Sequence, residues 1–353
     1  MEGINPGCFA GLEEAGFHQD IQPLRSQIFD KSLLQNSYIS EIEKKELIKK
    51  TSEYQLSETI NDFIKEYDTL FGQRDHYIWK SLGYVYTNAG VTLSTADKKY
   101  SENMIDCKMI LTLLCTLIDD VAEKNKDKTL LDEIISVLNI NNGKIDVKNE
   151  KTNYVKKLWE KLIENLEQLP GYNEYIDVFL FDMKQFLNAF EYSYLLNNKQ
   201  DIINLKEMEI YDCHNMIVYL LNGVDVMASN NLDPQDLPHL RKAFWYAQQM
   251  ARIGNWLSTW KRELVEGDMS SAVIAYAISN NIIKSEDIQI KSHEELINII
   301  EQSDAYEYFM AKWKKNYEKL ASLKDKIKSV DMDQYINGLE NVIKYHLATE
   351  GLK

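Results

Sequence analysis

Only five prolines punctuate the chain, at positions 6, 23, 170, 234 and 238. Proline inside a helix removes a hydrogen bond and clashes with the preceding turn, so such sparse punctuation permits long helices. Between the prolines, apolar residues recur at i, i+3 and i+4, the period of an amphipathic helix. No segment of convincing length alternates with period two, and hairpin dipeptides are nearly absent, which makes α/β folds and β-barrels poor fits. The expected fold class is all-α: a single helical bundle of about ten to twelve helices around a central cavity.

Residues 1–36 mix Gly, Pro and polar residues and read as an irregular N-terminal strap, leaving 37–353 as one all-α domain. A chain of 353 residues suggests two domains by size alone, but a bundle enclosing a cavity absorbs that length in one. Helices are expected over 40–71 and 75–88. Residues 101–124 follow, where Met104, Ile105, Met109, Leu113, Leu114, Leu117 and Ile118 leave little solvent face and place the helix centrally. A polar loop covers 139–149, and further helices span 153–169, 174–196, 205–228, 237–266, 270–280, 292–323 and 332–347.

Forty basic against fifty-five acidic side chains give a net charge of −15, which repels nucleic acid, and no basic patch offsets it. The same carboxylates suit a phosphate ligand once divalent cations bridge the two. No apolar run approaches the ~18 residues of a membrane span, and the first residues resemble neither a secretory signal nor a transit peptide. A cytoplasmic protein is the expectation. Cys8, Cys107, Cys115 and Cys213 form no CxxC pair, so neither zinc ligation nor a disulfide framework is indicated.

Two constellations carry chemistry. Asp119, Asp120 and Glu123 close the nearly all-apolar helix, where unpaired carboxylates oppose the helix dipole and repel one another unless a cation lies among them. A plain alternative is a solvated helix end leading into the charged loop 124–128. The second set is Asn255, Thr259 and Glu263, at i, i+4 and i+8. An amide oxygen, a hydroxyl and a carboxylate on one helical face can chelate one hard cation, with water or phosphate oxygens completing the shell. Arg262 beside them adds a guanidinium able to pair with phosphate. Here the alternative is an ordinary polar stripe.

Taken together in this order, the two sets resemble the class I terpene synthases, whose DDxxD/E motif is followed by an N/D-D-x-x-S/T-x-x-x-E motif. The stretch Lys261-Arg-Glu-Leu-Val-Glu-Gly-Asp-Met-Ser-Ser-Ala272 is similar to the continuation of that second motif, with Gly267-Asp268 as its turn. The resemblance covers most of the chain. It implies an enzyme that ionises a prenyl diphosphate and cyclises the carbocation to a hydrocarbon or alcohol, as a monomer or homodimer without a membrane span. Geranylgeranyl diphosphate is favoured over farnesyl diphosphate. It implies three Mg2+ ions, with Mn2+ as a substitute, held by Asp119 with Asp120 or Glu123 and by Asn255, Thr259 and Glu263. Arg262 falls where the family carries a diphosphate-contacting base.

There are departures from the pattern. Trp256 replaces an Asp that is not usually a ligand, and no arginine between Phe190 and Asp236 matches the diphosphate-sensing Arg. His214 or Asn215 is a possible stand-in, and the segment 210–219 resembles the helix that the family breaks beside the substrate. The effector carbonyl falls at Val218–Tyr219, or in a competing register at 219–223. The late Arg-Tyr pair is absent, with Lys314, Lys315 and Tyr317 a weak replacement. Trp79 and Phe186 are picked among the aromatics as cavity wall, because aromatic faces stabilise passing cations. Two other readings stay open: a chain-elongating prenyl diphosphate synthase, and a helical scaffold without activity.

Overall fold

A computed structural model describes residues 41–138, 147 and 149–348. The expected strap at 1–36 and most of the loop at 139–149 lie outside the described residues. Among the described residues fifteen α-helices follow one another, and the only β pairing is an isolated bridge between Ala96 and Ser229. The expected all-α class is what the structure has.

The helices are α1 (Glu41–Ser52), α2 (Glu58–Phe71), α3 (His76–Asn88), α4 (Ser101–Asp119), α5 (Lys128–Leu138), α6 (Glu150–Glu167), α7 (Tyr172–Asn198) and α8 (Leu205–Tyr211). Then come α9 (Val218–Met227), α10 (Leu237–Glu266), α11 (Ala272–Ser279), α12 (Asp287–Ile290), α13 (His293–Glu301), α14 (Ala305–Ala321) and α15 (Met332–Ala348). The count exceeds ten to twelve mainly because three stretches read as continuous are broken. Ser57 caps α2 by accepting from Ile60 N–H, splitting 40–71. Gln302–Asp304 separates α13 from α14. The third break, at 212–217, adjoins the site described below.

Helix α4 is buried on nearly every side, as its composition requires. Two apolar cores flank it and its neighbours. One joins α2–α7 with α9, the other joins α10, α11 and α13–α15, and α7 and α9 contribute to both. The loop 89–97, which leads into the start of α4, closes one end of the bundle against α15. There Gln334 Nε2 donates to the Thr92 carbonyl at 3.0 Å and Asn341 Nδ2 to that of Ala89 at 3.1 Å. Gly338 sits so tightly on Gly90 that a Cβ on it would stand 2.5 Å from the Gly90 carbonyl. The far end of α4, with Asp119, is therefore at the opposite end of the bundle from this seal.

Candidate active site

At its C-terminal end α4 runs into a wide turn, Asp120–Lys124, where Asn125 N–H bonds the Asp120 carbonyl at 2.8 Å, five residues back. Such widened turns recur at functional sites. This one separates the three acids. Asp120 turns toward α2 and α3, accepting from Arg74 Nη2 and from Tyr67 OH, each at 2.6 Å, while Arg74 Nε also donates to Tyr67 OH at 3.2 Å. Asp119 and Glu123 turn the other way and hydrogen-bond each other. Burial pushes the Asp119 carboxyl up to about 6, against the lowering effect of its hydrogen bond with Glu123, and raises Glu123 well above its ordinary value; the Asp268 charge adds to both shifts and the Asp119 charge to that of Glu123. Arg252 opposes the rise in each case. Glu123 Oε1 is buried with no hydrogen-bond partner.

The facing surface is the polar stripe of α10. Asn255, Thr259 and Glu263 follow one another by helical turns, with Arg252 three residues upstream on the same side. Thr259 Oγ1 donates to the Asn255 carbonyl at 2.7 Å and its hydroxyl also reaches Glu263. Glu263 is 7% exposed, and burial lifts its carboxyl to about 7 although Arg252 pulls it down. Its Oε2 has no partner. Arg252, 5% exposed, donates through Nε to Asp212 Oδ2 at 2.5 Å, through Nη1 to Asn255 Oδ1, and lies over the Trp256 ring at 5.4 Å. Trp256 Nε1 donates to the same Asp212 oxygen at 3.0 Å.

Asp268, in the turn after α10, completes the enclosure: it accepts from Asn197 Nδ2 at 3.0 Å and from Ser270 N–H at 2.9 Å. Its charge acts on Asp119, Glu123 and Glu263 alike, so the two acidic faces look at each other across Asp268 and Arg252. Sequence reasoning did not single out Arg252, Asp212 or Asp268 as site residues. Arg252 carried a signal, a cation on the polar stripe three residues before Asn255. Asp212 carried none, because its partners come from other helices.

The break between α8 and α9 lies against this site. Asp212–Met216 forms a tight turn ending at Ile217, whose φ of +50° is strained for a β-branched residue. Cys115 Sγ, one turn before Asp119, contacts the Asn215 carbonyl at 3.3 Å. His214 Nδ1 meets Gln248 Nε2 at 3.2 Å, burial lowers its pKa, and Tyr219 N–H donates to Gln248 Oε1 at 3.3 Å. The chain thus leaves helical geometry just before Val218.

Arg262, Lys315, Tyr317 and Trp79 are not brought here. Arg262 is exposed and pairs with Glu266 at 3.2 Å. Lys315 lines a separate 180 Å³ cleft on the α14 side of α10, with Ile253 and Trp256 as its wall. Tyr317 stacks on Trp313 and donates to Glu340 at 2.6 Å. Trp79 is fully buried edge-on against Tyr67, on the α2–α3 side of α4, and Phe186 packs edge-to-face on Phe190 at 5.1 Å.

All site donors are oxygens, the set a hard divalent cation prefers. Among the described residues no three His, Cys, Asp or Glu side chains converge into a ready cage. Magnesium does not need one, since it is commonly held by one or two carboxylates with substrate phosphates and water completing the octahedron. Two buried, unpartnered carboxylate oxygens on facing helices fit that use.

A helical bundle with acid-bearing helix faces apposed at one end is the fold of class I terpene synthases. Residues 111–297, more than half of the chain, match the family described as terpene synthase family 2, C-terminal metal binding, and the chain belongs to that family. The structure is similar to the linalool/nerolidol synthase of Streptomyces clavuligerus, solved with 2-fluorogeranyl diphosphate (TM-score 0.51, 8% identity, 83% of this chain and 99% of that one). It is also similar to isoprene synthase from grey poplar leaves, solved with three Mg2+ ions and dimethylallyl-S-thiolodiphosphate (TM-score 0.52, 16% identity, 85% of this chain and 53% of that one). No curated protein matches the chain. No described helix is long and apolar enough to cross a membrane.

Proposed function

We propose that the protein is a magnesium-dependent terpene cyclase that ionises a prenyl diphosphate, geranylgeranyl diphosphate in preference to farnesyl diphosphate, and cyclises the resulting cation. The observation that carries this reading is the pair of unpartnered carboxylate oxygens, on Glu123 and Glu263, facing each other across Arg252. Asp119 and Glu123 on one side, and Asn255, Thr259 and Glu263 on the other, would hold three Mg2+ ions, or Mn2+ in their place. When bound, such ions supply the Lewis-acid charge that makes diphosphate a good leaving group.

The chain's own groups do the rest. Arg252 is a buried cation between both acidic faces, and it takes the part of the diphosphate-sensing arginine missing from 191–235. Asp212 and Trp256 hold its guanidinium in place. Asp120, with both oxygens engaged, positions the turn that presents Asp119 and Glu123. Phe186 and Phe190 supply an apolar wall that keeps water from a carbocation and lends it the negative face of a ring. The strained turn at Ile217 directs backbone carbonyls, Asn215 among them, toward the Asp119 end of α4.

The test is product analysis by gas chromatography after incubation with magnesium and, separately, ten-, fifteen-, twenty- and twenty-five-carbon diphosphates. A cyclic product forms with the highest kcat/KM on the twenty-carbon substrate, and none forms after chelation. An allylic diphosphate supplied with isopentenyl diphosphate yields no longer chain. Chain elongation, or no diphosphate release from any substrate, refutes the reading.

A further inference from the structure

On the side of Trp256 away from the acidic faces, α10 and α14 enclose the 180 Å³ cleft. Its floor is apolar, built on Ile253, Trp256 and Phe309, with the Trp256 and Phe309 rings 5.8 Å apart. Its rim is basic. Lys312, Lys315 and Lys319 come from one face of α14, at i, i+3 and i+7, and all three line the cleft, whereas Lys314 does not. In a chain whose net charge is −15, three lysines against one carboxylate, Glu209, leave this cleft with two positive charges in surplus.

Only part of this polar lining is used up within the protein. Glu209 is ion-paired with Lys312 and accepts from Tyr308 OH at 3.1 Å, and Lys319 lies over the Tyr246 ring at 5.5 Å. Lys315 forms no ion pair among the described residues, and the side-chain amides of Asn316 and Gln249 form no hydrogen bond with any of them. Asn316 is the telling one. It is 8% exposed and opens onto the cleft, and burying an amide without a partner is costly unless an occupant of the cleft completes it. Water satisfies the two amides but leaves the surplus charge where it is. An anion satisfies both.

We propose that the cleft is a binding site for a small phosphate-bearing anion, separate from the catalytic centre. A phosphate group carries a charge of about −1.5 to −2 at neutral pH and three strong acceptor oxygens. These match the surplus charge and the unspent donors of Lys315, Asn316 and Gln249, whereas a carboxylate offers one charge and two oxygens. The cleft is smaller than the roughly 300–1,000 Å³ of sites for drug-sized ligands, so any group on the phosphate is short and rests on the Trp256–Phe309 floor. Trp256 stands between the two sites: it walls the cleft while its Nε1 holds Asp212 and its ring lies under Arg252. The sites differ in what holds phosphate. The acidic faces do so through a divalent cation, and the cleft through its own ammonium and amide groups.

The experiment is isothermal titration of the full chain in excess chelator, so that the acidic faces hold no metal, with inorganic phosphate and, separately, dimethylallyl monophosphate. One molecule binds per chain. Lys315→Glu weakens binding at least tenfold, while Lys314→Glu, the same charge change on the neighbouring residue outside the cleft, weakens it less than twofold. Both lysines are exposed, so both variants keep the fold. Asn316→Leu, which keeps the volume and removes the amide, also weakens binding several-fold. Tighter binding of the monoester assigns the site to a phosphorylated small molecule, and equal binding of the two probes assigns it to free phosphate. No binding in chelator, or equal losses in Lys314→Glu and Lys315→Glu, overturns the site. Either result leaves the cyclase reading standing, since that reading requires magnesium.

Discussion

The two acidic faces handle buried charge in opposite ways. On α10 the stripe carries its own cation, with Arg252 ion-paired to Asp212 and bonded to Asn255. At the end of α4, Asp119 and Glu123 have only each other, and among the described residues neither forms a salt bridge. Asp120, one residue away, has Arg74. One face therefore carries a cation of its own, while the other stays neutral only by keeping protons or by taking up a metal. The α4 face should respond most to loss of cation binding, and the α10 face to loss of its arginine.

The largest effect is on turnover. Asp119→Ala lowers kcat/KM for the prenyl diphosphate by about 10²–10³-fold, the size seen when one preorganised charge-stabilising group is lost. Asp120→Asn lowers it far less, because that side chain only holds the turn through Arg74 and Tyr67. Equal losses in the two variants, measured as magnesium-dependent diphosphate release, would mean that the three acids act as one unit.

Next is stability on the other face. Arg252→Met leaves Asp212 fully buried without its counter-charge and costs about 3–5 kcal/mol in chemical denaturation, the usual penalty for breaking a buried pair from one side. Adding Asp212→Asn restores most of it. If the single variant is as stable as the parent, Arg252 is not the internal cation of this face.

A smaller effect separates protons from metal. Asp119 and Glu263 titrate at about 6 and about 7 in the folded chain, against ordinary values of 3.8 and 4.5. Carboxyls raised on folding stabilise the protein fully below their unfolded values, and that stability disappears as pH rises through the folded ones. In metal-free protein these two groups therefore lower Tm between about pH 4 and pH 8. Magnesium binds the ionised form, so it raises Tm more at pH 8 than at pH 5.5. A magnesium shift that is larger at pH 5.5 would contradict the assignment, and scanning calorimetry with and without chelator decides it.

Much of this arrangement could be read from the sequence, and the exceptions share a cause. The 237–266 helix was marked by Pro238 in its first turn and Gly267 after its last, where φ is +74°, and its periodicity put Asn255, Thr259 and Glu263 on one face. The break at 212–217 contains neither Gly nor Pro. It is imposed by partners distant in sequence: Arg252 and Trp256 on Asp212, Gln248 on His214, and Cys115 on Asn215. The splitting of Asp119 from Asp120 likewise depends on Arg74 and Tyr67, some fifty residues upstream. Local rules find elements; tertiary partners decide which way a side chain of a motif turns.

The smallest effect is the sharpest check on that last point. A reading by motif position gives the diphosphate contact to Arg262, next to Glu263, whereas the function proposed above gives it to Arg252. Along α10, residue 262 is rotated by a full 100° from 263, and its side chain is exposed and held by Glu266. Arg262→Ala therefore changes KM and kcat by less than about twofold, in keeping with the small worth of an exposed i, i+4 pair. A tenfold rise in KM for the diphosphate substrate would restore Arg262 to the site. It would also mean that the face of α10 presented to substrate differs from the one that meets Asp119 and Glu123, undoing the contrast between the two acidic surfaces.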